Sequence, residues 1–130
     1  MNLLIKGADL IGAGRQDVLI SDGVITAIGT LDASAKTIDQ SIEADGLIAL
    51  PGMVDMHTNL REPGREDAET IASGSAAAAI GGFTAILAMA NTTPVTDTAE
   101  AAERVLDLGR LAGLVYVQPV GAVTKALAGE

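Results

Sequence analysis

The chain has 130 residues, of which 48% are hydrophobic, 19% charged and 2% aromatic, and its formal net charge is -9. This composition is typical of a globular protein and excludes a disordered tail, a coiled coil and a collagen-like chain. Eight basic residues stand against seventeen acidic ones, so no nucleic-acid partner is expected. The absence of cysteine excludes disulfides and thiolate metal sites, and it fits a cytoplasmic location.

The first part of the chain, residues 1–50, is predicted to be a small β-rich, sandwich-like domain. Short apolar or branched runs separated by turn residues predict strands at 3–5, 17–20, 24–28 and 47–50. Ser21-Asp22-Gly23 lies between two of these runs and is typical of a hairpin turn. Asp45-Gly46 indicates a second turn, and no helical period of useful length precedes Pro51.

Residues 51–130 alternate between predicted strands and helices. Strands are expected at 53–56, 83–89 and 114–117. One helix is expected to begin near Glu66 and to end at Gly81-Gly82, and a second to begin with Asp97 as its N-cap and to end by Gly113. This order predicts right-handed βαβ units and a parallel sheet. The uncharged stretch 71–90 is long enough for a membrane span, but its glycines and hydroxyl residues favour a buried helix followed by a buried strand.

The length of this second part limits the architecture. A complete (β/α)₈ barrel takes about 250 residues, whereas residues 51–130 hold only two and a half units. No glycine-rich phosphate turn follows the first strand, which disfavours a doubly wound nucleotide-binding sheet. The fold class is therefore predicted as α/β: the start of a TIM-type barrel that is incomplete in this chain, as expected for the N-terminal part of a longer protein.

Polar side chains follow two strands at the edge where ligands bind in parallel α/β folds. His57 and Asn59 are two residues apart in an extended segment, so their side chains are expected on the same side. That spacing suits two ligands of one metal, although an amide oxygen is a poor zinc ligand. Asn91 follows the next strand.

Two motifs stand at the ends of these strands at compatible spacing. The pattern D-x-H-x-H-L-R-E-P-G is matched at Asp55, His57 and the run from Leu60 to Gly64, and M-x-N-T-x-P is matched at Met89, Asn91, Thr92 and Pro94. Together they resemble the motifs of the dihydroorotase family of amidohydrolases. The resemblance covers almost the whole chain. It implies a metal-dependent hydrolase barrel that catalyses the reversible hydrolysis of dihydroorotate to N-carbamoyl-L-aspartate in pyrimidine biosynthesis.

The same resemblance implies roles for individual residues. His57 would be a zinc ligand, while Arg61 would bind the substrate carboxylate and Asn91 would hydrogen-bond the same end of the substrate. The proton-transferring aspartate and the other metal ligands would lie beyond residue 130, so no catalytic residue is expected within this chain. A cytoplasmic homo-oligomer is expected for the complete protein, and the 130 residues alone are expected to be inactive.

Asn59 departs from the family pattern, which has a second histidine there, and this keeps two alternatives open. One is a non-catalytic homologue that serves as a structural partner of aspartate transcarbamoylase. The other is a different cyclic amidohydrolase, such as allantoinase or dihydropyrimidinase, which Arg61 and Asn91 disfavour because they suit a free carboxylate. Each site residue also has a purely structural interpretation: His57 as a hydrogen-bonded residue, Arg61 paired with Glu62, and Asn91 as a turn residue.

Overall fold

The computed structural model describes residues 1–32 and 37–129, which form two compact units, Met1–Pro51 and Gly52–Glu130. Each unit is built around its own sheet. The first contains five strands, and the second contains three strands and two α-helices.

The first unit is a mixed five-stranded sheet. Its strands are β1 (Asn2–Leu10), β2 (Gly14–Ser21), β3 (Val24–Gly29), β4 (Gln40–Glu43) and β5 (Ile48–Ala49). The strand order is β3-β2-β1-β4, with β5 also paired to β1. The first three strands are antiparallel neighbours, whereas β4 and β5 run parallel to β1.

The predicted hairpin in this unit is confirmed. Ser21 pairs with Val24 across a two-residue turn, and both turn residues, Asp22 and Gly23, have positive φ, of 50° and 81°. Such a turn matches the right-handed twist of the strands that it joins. Strand β4 was not predicted, because all four of its residues are exposed and no apolar alternation marks it as a strand.

The second unit contains a parallel sheet in the order β6-β7-β8, as the alternation of elements predicted. Strands β6 (Met53–Thr58), β7 (Phe83–Ala88) and β8 (Tyr116–Pro119) are joined by helices α1 (Ile71–Ile80) and α2 (Ala99–Ala112). A single 3₁₀ turn, Lys125–Leu127, follows. The buried core of this unit lies between sheet and helices and consists of Leu60, Ile71, Ile86, Ala88, Val105 and Val117.

The predicted start of α1 near Glu66 is wrong, because the helix begins only at Ile71. Thr70 is the N-cap: its side chain accepts the Ser73 N–H, and the Ser73 hydroxyl accepts the Thr70 N–H in return. This reciprocal pair satisfies donors that the helix itself leaves open. The acidic residues near 66–69 therefore precede the helix and are not part of its first turn.

The predicted N-cap of α2 is also wrong by one position. Thr98, not Asp97, is the cap, and its hydroxyl accepts the Ala101 N–H at 3.2 Å. Asp97 instead accepts the N–H of Ala126 at 2.8 Å and so holds the segment after β8. The predicted end of this helix is confirmed, because Gly113 adopts the left-handed conformation with φ of 65°.

The uncharged stretch 71–90 forms a ten-residue helix and a six-residue strand. In the described ranges 1–32 and 37–129, no helix is long and apolar enough to cross a membrane.

Candidate functional site

The carboxyl end of β6 contains a local irregularity that re-aims its side chains. Asp55 pairs with Ile86 and Thr58 pairs with Ala88, so three residue steps along β6 lie opposite two residue steps along β7. This extra residue is a β-bulge, a feature that is common beside active sites. The Asp55 carboxylate accepts the His57 N–H at 2.9 Å, which stabilises the chain within the bulge.

His57 and Asn59 are the two potential metal donors at this strand end. His57 is exposed, and its imidazole has no hydrogen-bond partner among the described residues. The Asn59 Oδ1 atom is buried and accepts no hydrogen bond there either. Buried polar atoms are nearly always paired, so the open Asn59 acceptor, like the open imidazole of His57, has the chemistry of a divalent-metal ligand.

These two donors do not complete such a site. Within residues 1–32 and 37–129, no group of three or more His, Asp or Glu side chains is placed to hold a metal ion. A catalytic zinc site uses three protein ligands, and zinc prefers nitrogen or sulfur to an amide oxygen. Any further ligands would have to come from outside the described residues.

Arg61 lies directly after the buried Leu60 and has an unusual backbone. Its φ is 61°, which lies in the left-handed region that residues other than Gly, Asn and Asp rarely adopt. Its guanidinium is exposed and forms no ion pair with any described carboxylate. The structural alternative of an Arg61–Glu62 pair is thus not observed, since the Glu62 carboxylate accepts the Ile71 N–H at 2.7 Å.

The loops that follow β6 and β7 are joined through their main chains. The Thr93 N–H donates to the Pro63 carbonyl at 2.9 Å. Gly64, with φ of 109°, lies so close to Thr93 that a Cβ at this position would be 2.5 Å from the Thr93 carbonyl oxygen. The Glu66 carboxylate accepts the Gly64 N–H at 3.0 Å, and this bond lowers the pKa of Glu66.

Arg61 and Asn91 line one pocket between these two loops. It has a volume of about 380 Å³, and its wall comprises Arg61, Pro63, Arg65, Ala68, Asn91, Thr92 and Thr93. Arg65 is held by a two-point contact with Asp67, at 3.1 and 3.3 Å, whereas the Arg61 guanidinium and the Asn91 amide have no partner among the described residues. The pocket therefore presents one free cation and one free amide, which suit a carboxylate.

A larger hollow of about 620 Å³ lies elsewhere in the same unit. It is lined by Phe83 at the start of β7, by Tyr116 at the start of β8 and by neighbouring residues of α2. Ligands of parallel α/β folds bind at the opposite, carboxyl ends of the strands. The smaller pocket is therefore the candidate functional site.

Gly64 provides a test of the contact between the two loops. We expect Gly64→Ala to lower the free energy of unfolding by roughly 1–3 kcal/mol more than Gly113→Ala does. Both positions have positive φ, but a Cβ at Gly113 would lie 3.7 Å from its nearest neighbour and would not clash. Denaturant unfolding of both variants measures the difference, and equal losses would contradict the close approach.

The structure thus brings two of the predicted site residues, Arg61 and Asn91, to one pocket, while His57 is not part of its lining. Three contributors were missed: Asp55 as the partner of the bulge, Glu62 as the partner of α1, and Thr93 as the link between loops. Asp55 and Glu62 stand in the family motif, but the motif did not indicate these contacts, and the Pro63-Gly64 pair indicated only a tight turn.

Comparison with known proteins gives consistent results. The dihydro-orotase-like family matches residues 46–130. The dihydroorotase of Streptomyces coelicolor is 54% identical over 127 residues, which cover 97% of this chain and 29% of that protein. The dihydroorotase of Mycobacterium tuberculosis is 55% identical over 130 residues, which cover 99% of this chain and 30% of that protein. The chain thus spans less than a third of the length of these relatives.

Solved structures show the same likeness. L-hydantoinase (dihydropyrimidinase) from Arthrobacter aurescens has a TM-score of 0.77 and 27% identity, over 92% of this chain and 27% of that one. An atrazine chlorohydrolase from Arthrobacter aurescens, solved with zinc and atraton, has a TM-score of 0.64 at 19% identity, over 92% of this chain and 35% of that one, and supports the fold alone.

These likenesses confirm the predicted fold class, in which the second unit is the opening part of a TIM-type hydrolase barrel. They also agree with the motifs around His57, Arg61 and Asn91 that first indicated the family. With more than half of its residues matched, the chain belongs to the dihydro-orotase-like family.

Proposed function

We propose that this chain supplies the substrate-carboxylate site of a cytoplasmic dihydroorotase of pyrimidine biosynthesis. The observation that carries the proposal is the shared pocket of Arg61 and Asn91, at the carboxyl ends of neighbouring parallel strands. The reaction adds water across the ring amide of dihydroorotate. The water oxygen bonds to the carbonyl carbon, the ring C–N bond breaks, and the nitrogen takes up a proton to give N-carbamoyl-L-aspartate.

In this proposal the residues of the chain bind and orient the substrate. The planar Arg61 guanidinium forms a charge-assisted pair with the free carboxylate, and the Asn91 amide donates to the same group. Both side chains extend from loops that the Thr93–Pro63 hydrogen bond holds together, so the substrate is held in one orientation. No residue of this chain is assigned the proton transfer.

We further propose that zinc is the cofactor, with His57 as one ligand and the Asn59 Oδ1 atom at the second position. Bound zinc would supply a water molecule of lowered pKa for attack on the ring carbonyl. The open imidazole and the orphaned amide oxygen support this assignment.

The proposal is tested with the full-length protein that carries these residues, since the relatives are about three times as long as the chain. We expect hydrolysis of dihydroorotate, with zinc at stoichiometric amounts by elemental analysis. Dihydrouracil and hydantoin serve as comparison substrates that lack the carboxylate. Faster turnover of these two than of dihydroorotate would contradict the carboxylate assignment and would favour a dihydropyrimidinase, to which the L-hydantoinase likeness points.

A second candidate function is favoured by Asn59. A protein that binds no metal and does not hydrolyse dihydroorotate, but associates with aspartate transcarbamoylase, would be a structural partner of that enzyme. Co-elution of the two purified proteins in size-exclusion chromatography distinguishes this function from that of an independent homo-oligomeric enzyme.

A further inference from the structure

We propose that Glu62 is a positioning residue that holds Arg61 in its substrate-binding conformation. The inference rests on the proposed function and extends it to a residue that contacts no substrate. The feature that carries it is the 2.7 Å hydrogen bond from the Ile71 N–H to the Glu62 carboxylate, which joins the loop after β6 to the first residue of α1.

Arg61 is flanked by two anchored residues. Leu60, 2% exposed, belongs to the buried core and lies against Gly74 of α1, where a Cβ would collide with it. On the other side, Glu62 is bonded to Ile71, which is 1% exposed and belongs to the same core. Both neighbours of Arg61 are therefore fixed to one helix, and only the Arg61 side chain extends outward.

This double attachment stabilises the left-handed backbone of Arg61 together with two main-chain bonds, from the Glu62 N–H to the Leu60 carbonyl at 2.8 Å and from the Arg65 N–H to the Arg61 carbonyl at 2.9 Å. Such a conformation costs about 1–2 kcal/mol for a residue with a Cβ and persists only where the surroundings enforce it. With the Glu62 side-chain bond broken, this turn would lose its attachment to the first residue of α1, and we expect Arg61 to shift towards negative φ. That change would redirect the guanidinium away from Asn91 and the pocket.

The chemistry of Glu62 suits this task. The first turn of α1 contains no acidic residue of its own, and its N-terminal N–H groups carry partial positive charge. A carboxylate at this end forms a charge-assisted bond, which is shorter and stronger than a neutral one. Using Glu62 in this way also leaves the adjacent Arg61 without an ion-pair partner, as binding of a substrate carboxylate requires.

Glu62→Ala in the full-length protein tests the inference. We expect the KM for dihydroorotate to rise about tenfold while kcat changes less than twofold, because orientation of Arg61 is lost and the reacting groups are not touched. Glu62→Gln, whose amide oxygen still accepts the Ile71 N–H, should restore most of the affinity. In the Arg61→Met background, Glu62→Ala should have no further effect on KM.

Glu69→Ala is the matched control, because Glu69 bonds the Ser73 hydroxyl at the same end of α1 but has no link to Arg61. Its KM should equal that of the wild type. An unchanged KM in Glu62→Ala, or an equal rise in the Arg61→Met background, would overturn the inference.

A measurement without turnover separates this inference from the proposed function. The NMR backbone shifts of Arg61 report its φ in the absence of substrate, and we expect them to move in Glu62→Ala and to stay in place in Glu69→Ala. If the wild type neither binds nor hydrolyses dihydroorotate, the proposed function is wrong. If the Arg61 chemical shifts are the same in Glu62→Ala as in the wild type, only the positioning role of Glu62 is wrong.

Discussion

Replacing Arg61 by Met should raise the KM for dihydroorotate by about 10- to 100-fold and leave the metal content of the full-length protein unchanged. A hydrogen bond to a charged group contributes about 1.5–3 kcal/mol, and each 1.4 kcal/mol corresponds to a factor of ten. Methionine retains much of the length of the side chain but cannot pair with a carboxylate. Steady-state kinetics and elemental analysis on the same preparation measure both quantities.

Arg104→Met is the control for this prediction. Arg104 lies on α2, is exposed and forms no ion pair among the described residues, so it matches Arg61 in chemistry and exposure but does not line the pocket. Its KM should equal that of the wild type. Normal kinetics in Arg61→Met, or loss of metal from it, would show that Arg61 does not bind the substrate carboxylate.

The second large effect is expected at Asn59, where Asn59→His should strengthen zinc binding by at least about tenfold. Structural sites bind zinc with about 10–16 kcal/mol, which is roughly 3 kcal/mol for each of four ligands. In the wild type the Asn59 amide oxygen would already provide part of one ligand's share. An imidazole nitrogen is the better zinc ligand, and it would occupy a position that now has an open acceptor. Competition with a chromophoric chelator measures the affinity.

The control for non-specific binding is Gln40→His, which adds a histidine at an exposed position of β4 and should leave the zinc affinity unchanged. Equal zinc affinities of the Asn59→His variant and the wild type would remove position 59 from the metal site.

Much of the fold could be predicted because its signals are local. Asp22-Gly23 sets a turn by backbone conformation alone, and the continuous apolar run that forms β7 is typical of a strand buried in a parallel sheet. Strand β4 could not be predicted, since all four residues of Gln40–Glu43 are exposed and the strand is held by pairing with β1, a partner far away in the sequence. The start of α1 was misplaced because the acids at 66–69 favour a helix start, but the Thr70–Ser73 pair sets it.

The candidate site could likewise be predicted only in part. Motifs predicted Arg61 and Asn91, and their neighbouring strands explain why both reach one pocket. Neither the left-handed backbone of Arg61 nor the Glu62–Ile71 bond leaves a mark in sequence spacing, because both arise when the loop packs on α1. The bulge at His57 also cannot be read from the sequence. Because of it, strict alternation of side chains does not fully describe the chain from His57 to Asn59.

The hydrogen bond between Thr93 and Pro63 joins main-chain atoms, so this link between the two loops does not depend on the side chains of either residue. Side chains around it can be exchanged without removing either partner, so pocket specificity can be redesigned while the frame persists. Gly64 restricts that freedom, because its missing side chain makes room for the neighbouring loop, and so does Glu66, whose carboxylate accepts the Gly64 N–H. Redesign of this pocket for a different ligand would therefore vary the residues of the pocket wall and retain Gly64.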